Sequence, residues 1–171
     1  MKKIILFTAI ILTISISGFG QEGSNIRFSV GAELGIATGG FSETHSLGIG
    51  GTAQLEILLQ EKLKGTATSG ILVFNGKSIP GENSAKHTSQ VIIPLRIGVK
   101  YFLTPGIYGA LQTGVGFLSN YAKGTAFAFS PQVGYEFITN SGKPIDICIK
   151  YDGYAKSGTI GFFGIRVAKV L

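Results

Sequence analysis

Segments with a hydropathy period of two, a leader-like N-terminus and a glycine-rich, charge-poor composition predict an all-β fold. The expected architecture is an eight-stranded antiparallel up-and-down transmembrane β-barrel after an N-terminal signal peptide. The chain carries 26 glycines, and charged residues make up only 14% of it, against about a quarter in an ordinary soluble domain. Beyond the leader, no apolar run approaches the roughly 20 residues that a membrane helix needs.

The leader comes first. Met1-Lys2-Lys3 is a short positive region, Ile4 to Ser17 is uncharged and mostly apolar, and Gly18-Phe19-Gly20 places small residues at −3 and −1. This three-part pattern predicts a signal peptide over 1–20, cleaved before Gln21. No Cys lies near that point, so a lipid-anchored form is not supported. Residues 21–171 then form one domain, the barrel. Without Lys2 and Lys3, thirteen basic residues stand against nine acidic ones, with no run of Lys or Arg and hence no nucleic-acid footprint. The lone Cys148 excludes an internal disulfide.

Each strand is read from its alternation. From Asn25 to Ala37, Ile26, Phe28, Val30, Ala32, Leu34 and Ile36 alternate with Arg27, Ser29, Gly31, Glu33 and Gly35. Ser46 to Leu59 alternates Leu47, Ile49, Ala53, Leu55 and Ile57 with Gly48, Gly50, Thr52, Gln54 and Glu56. Lys62 to Phe74 is the weakest, with Leu63, Ala67, Ile71 and Val73 on one face. Gln90 to Leu103 sets Val91, Ile93, Leu95, Ile97, Val99 and Tyr101 against Gln90, Arg96, Gly98 and Lys100. The pattern continues through Gly106–Leu118, Thr125–Ile138, Ile145–Tyr154 and a last segment built on Phe163, Ile165 and Val167. No stretch after the leader reads as a helix.

Turn residues separate these segments. Thr104-Pro105-Gly106 suits a tight turn with Pro at i+1 and Gly at i+2, and 60–62 and 140–142 are equally short. An even strand count returns both termini to one rim, which these short turns share. Connections at 38–45, 75–88, 119–123 and 155–158 fall on the far rim, the longest being Asn75 to Thr88. Short turns on one side and longer loops on the other are usual for membrane barrels. Pro94 and Pro131 fall inside strands and are expected to make bulges.

Alternation alone does not say which face points inward. Volume and charge decide it. Eight strands enclose an interior just wide enough for side chains to fill. The face rich in Gly, Ala and Ser fits there; the face crowded with Ile, Leu, Val and Phe does not. By parity, Arg27, Lys64, Arg96, Lys100, Lys150 and Arg166 share the small face with Glu33, Glu56, Glu136, Asp146 and Asp152. These eleven residues are the candidate site, an inward charge network plugging the lumen, because an unpaired charge removed from water costs several kcal/mol. The apolar face carries one charge, Lys169. Strands of about 11 residues, tilted about 45°, reach the roughly 25 Å height of a lipid-facing band.

The segments IIPLRIGVKYFL (92–103), PGIYGALQTGVGF (105–117), FAFSPQVGYEF (127–137) and FFGIRVAKVL (162–171) make the whole mature chain similar to the small outer-membrane β-barrels, the OmpA/OmpX-like porin-domain proteins. The resemblance implies a bacterial outer-membrane location, with membrane lipid and the barrel-insertion machinery as partners, and a monomer. Such families end on an aromatic residue that the insertion machinery recognises. This chain departs from that pattern with Leu171 and Lys169.

Little in the sequence points to catalysis. His45 and His87 stand beside Ser46, Thr88 and Ser89 in far-side connections, and barrels that cut or transfer acyl chains use a His and a Ser near that rim. The expectation is nevertheless two solvated loop residues, since a triad is defined by geometry. Cys148 is expected to be a buried filler. No metal-ligand spacing or nucleotide-binding loop is present, so neither cofactor nor metal is expected. The expectation is therefore a non-enzymatic barrel with a structural or surface-interaction role. A narrow small-solute channel and a lipid-modifying enzyme are the alternatives.

Overall fold

The computed structural model describes residues 25–79, 85–139, 142–156 and 158–171. The leader and its cleavage point lie outside these residues. Eight strands form one closed antiparallel barrel in sequence order: β1 (Ile26–Thr38), β2 (His45–Gln60), β3 (Leu63–Gly76), β4 (Gln90–Phe102), β5 (Ile107–Asn120), β6 (Gly124–Ile138), β7 (Pro144–Ala155) and β8 (Thr159–Val170). Closure joins β1 to β8, with Glu33 opposite Arg166 and Ile36 opposite Phe163. No strand edge is left open, which answers the aggregation hazard of an unpaired edge.

Side-chain alternation follows the period-two expectation. Leu34, Ile49, Ile71, Ile97, Leu111, Val133, Ile149 and Ile165, one from each strand, are each at least half exposed. The inward charged residues are buried, apart from the half-buried Arg27 and Glu136. Glycine makes this wall possible through close approach. A Cβ at Gly134 would strike the Tyr108 ring of the neighbouring strand, and one at Gly116 the Tyr154 ring. At Gly153, on the outer face, it would meet Phe129. Rings from the next strand, or from the one beyond it in the case of Tyr154, therefore occupy the space these glycines leave. Gly106, in the turn after Pro105, has a φ of +101°, the left-handed backbone anticipated there.

Three expectations are corrected. A short helix, α1 (Phe41–Thr44), occupies the first far-side connection. Its single turn carries no hydropathy period and is fixed by packing, with Phe41 4% exposed. The prolines make no bulges. Pairing of β3 with β4 holds one offset from Ser69–Leu95 to Leu72–Ile92, and β6 with β7 one offset from Phe129–Gly153 to Gln132–Lys150. Each missing N–H leaves only a gap on one side of its strand. The register shifts fall in β2 instead, between His45 and Gly48 and between Leu58 and Gln60. Finally, His45 is not a solvated loop residue, because the first shift turns it inward, where it is fully buried.

Candidate functional site: the lumen

The structure places all eleven sequence-selected charges in ion pairs along the lumen. They fall into two clusters. Nearer the terminal rim, Lys100 is the hub: its Nζ lies 2.6 Å from Asp146 Oδ2, 2.9 Å from Glu56 Oε1 and 3.1 Å from Glu136 Oε2. The same ammonium sits 3.9 Å from the Tyr108 ring centroid, and the Tyr108 hydroxyl donates to Asp146 Oδ1 at 2.8 Å. Lys64 adds contacts to Glu56 at 3.1 Å and Glu136 at 3.6 Å, and Arg27 meets Glu136 at 2.8 Å. Arg166 approaches Asp146 at 3.7 Å while donating to Thr52 Oγ1 and Ser29 Oγ.

Glu56, Glu136 and Asp146 bring carboxylate oxygens within 4.8 Å of one another, close enough to hold a metal ion. Lys100 supplies a cation at that point from the chain itself. Removing it would leave three carboxylates facing each other in a low-dielectric interior.

An amide and hydroxyl layer lies above. Gln112 Nε2 donates to Thr68 Oγ1 at 2.9 Å and Thr66 Oγ1 at 3.2 Å, Thr68 donates to Gln54 Oε1, and Gln54 Nε2 donates to Glu56 Oε1. The second charge cluster follows. Lys150 Nζ is 2.6 Å from Glu33 Oε1 and 3.1 Å from Asp152 Oδ2, and Arg96 Nη1 donates to Asp152 Oδ1 at 2.5 Å. Each long basic side chain here faces a glycine on the next strand, Arg96 opposite Gly114 and Lys150 opposite Gly164, which leaves it room to reach across. Arg96 Nε and Nη2 and the Tyr154 hydroxyl are buried without a hydrogen-bond partner among the described residues. This cluster is less completely bonded than the lower one.

Toward the far rim the lumen turns apolar. Leu72, Phe74, Ile92, Leu118, Tyr154 and Phe162 pack with Phe41 of α1, and Phe74 and Phe162 have ring centroids 4.7 Å apart. His45 completes this plug, stacked on Phe41 at 4.5 Å and edge-on to Tyr121 at 4.7 Å. Its Nε2 is 3.1 Å from the Thr88 carbonyl and so carries the proton, while Nδ1 accepts from the Thr44 hydroxyl at 2.8 Å. Neither ring nitrogen is left to act on a substrate. His87 stands outside, its ring 5.8 Å from Tyr121. Cys148 is buried with its Sγ 3.9 Å from Gln132 Oε1.

Together these define the fold of the small eight-stranded outer-membrane barrels, with an apolar outer face and charged, polar and aromatic side chains turned inward. Solved structures of that fold are similar across nearly the whole chain. Ail of Yersinia pestis is 9% identical with a TM-score of 0.55, covering 85% of this chain and 96% of Ail. OprG from Pseudomonas aeruginosa is 8% identical at 0.54, covering 86% and 93%. Neisserial surface protein A is 9% identical at 0.55, covering 88% and 97%. No family model matches the chain, and no curated protein sequence does. At such identities the likeness is one of fold.

Proposed function

We propose that this chain is an integral, monomeric protein of a bacterial outer membrane, with a closed lumen and a structural or surface-interaction role carried by its far-side connections. The observation that carries membrane residence is the apolar outer face, which Lys169 alone interrupts with a charge among the described residues. A water-soluble monomer rarely exposes an apolar patch beyond a few hundred Å². Here every strand contributes half-exposed Ile, Leu or Val, and strands of 12–16 residues exceed the roughly 9–11 that span a bilayer. The closed lumen rests on Lys100, Arg96 and Phe162, each of them buried at a different level. His45, held at both ring nitrogens, favours the structural role over a lipid-modifying one.

The protein should fractionate with outer membranes, resist high-salt and alkaline washing, and migrate differently on a gel when left unboiled. Recovery from the soluble periplasm would overturn the proposal. Orientation follows from the short terminal-side turns, which face the periplasm in such barrels. A membrane-impermeant amine reagent on intact cells should label the exposed Lys86 and Lys123 and spare the exposed Lys62 and Lys143. The opposite labelling would invert the topology.

A further inference from the structure

Lys169 is the one charged side chain on the outer face of the strands among the described residues. It is exposed, opposite Val30 of β1 and Ile145 of β7, and has neither ion pair nor hydrogen bond among those residues. It does not stand at the extreme edge of the apolar face. Leu171 continues beyond it, its N–H donating to the Phe28 carbonyl at 2.9 Å. The Lys169 backbone therefore lies within the apolar face, one outward position from the rim, so its ammonium reaches the interface only by extending along the wall.

Beside it lies a groove of about 450 Å³ lined by Val30, Ala32, Ile145, Val167 and Lys169. The groove is shallow and open to the surroundings along its length, a shape that suits a lipid chain lying against the wall. The small side chain of Ala32 recesses the wall between Val30 and Leu34, so the groove runs from Lys169 toward mid-barrel. Lys143, exposed two residues before Ile145, adds a second ammonium at the same end of β7. None of the outward residues paired with Lys169 or next to it on its face is acidic. Apolar walls beneath two cations match an acyl chain beneath a phosphate.

We propose that this groove seats one anionic phospholipid of the leaflet at the terminal rim, its phosphate on Lys169 and Lys143 and an acyl chain against Val30, Ala32 and Val167. The inference rests on the membrane reading above. It also gives a role to a lysine that stands where the final strand of such a barrel normally carries an apolar residue.

The test is native mass spectrometry of the detergent-folded barrel titrated with phosphatidylglycerol or phosphatidylcholine, alongside insertion into vesicles of each lipid. The wild type should retain one phosphatidylglycerol in preference to phosphatidylcholine. K169Q should weaken that retention about fivefold, the share of one basic residue at an anionic surface. K169R should restore it, and K123Q at the far rim should leave it unchanged. A barrel that inserts into both vesicles yet shows no preference, or loses it equally in K169Q and K123Q, would overturn the lipid seat alone. A barrel that inserts into neither would overturn the membrane reading and the seat with it.

Discussion

The closed lumen proposed above rests, near the terminal rim, on Lys100 and its three carboxylates and, beneath the far mouth, on Phe74, Phe162, Tyr154 and Phe41. Both fill a narrow barrel, yet they hold it differently. The charged closure is specific to its partners, because desolvating each ion is offset only by a matching counter-charge. The aromatic closure depends on area and shape, and tolerates any group of similar volume. A polar lower lumen also keeps the two faces of each strand distinct, so insertion has one way to turn the barrel. The apolar upper lumen gives up that distinction close to the rim, where α1 and the loops cover it.

Breaking the charged closure should have the largest effect. Lys100→Met leaves Glu56, Glu136 and Asp146 without their shared cation and should cost about 3–5 kcal/mol. Because the chain has no Trp, urea unfolding in lipid vesicles is best followed by circular dichroism. Loss below about 1 kcal/mol would mean that water already reaches the cluster. Next comes the aromatic closure. Phe162→Ala should cost about 3 kcal/mol through the cavity it leaves, whereas Phe162→Leu should recover most of that. The analogous conservative change Lys100→Arg should not recover, since a guanidinium does not fit a site shaped round one ammonium. Equal rescue at both ends would erase the contrast drawn between them.

Smaller effects sharpen it. Gly116→Val drives a Cβ into the Tyr154 ring and should cost about 2 kcal/mol, visible as a lowered unfolding midpoint. Arg27 is the outermost member of the lower cluster, its side chain 30% exposed against Glu136. Arg27→Ala should cost about 1 kcal/mol or less, and that loss should shrink further with added salt.

The charged lumen was legible in the sequence because its charges sit at strict period two among apolar neighbours. Arg96 lies between Leu95 and Ile97, and Asp146 between Ile145 and Ile147. Parity put them on one face, and volume and charge put that face inside. Their pairing was not legible, since Arg96 and Asp152 are separated by 56 residues and meet only through barrel closure. The aromatic plug was hidden for a different reason. In Ile71-Leu72-Val73-Phe74 and in Phe162-Phe163 both faces are apolar, so alternation carries no signal. Leu72, Phe74 and Phe162 nonetheless turn inward. His45 reads as a solvated loop residue in the sequence because the irregularity before Gly48 breaks the parity of β2 at its start.

A lumen closed at more than one level, as proposed above, carries no ions, and conductance tests that directly. Purified, folded protein in a planar bilayer should show no current steps above the lipid background, because Lys100, Arg96 and Phe162 each block a separate layer. Phe162→Ala should remain silent as well, since the two charged layers stay in place. Reproducible ion-selective steps from the wild-type barrel would show an open, watery lumen and contradict the proposed closure.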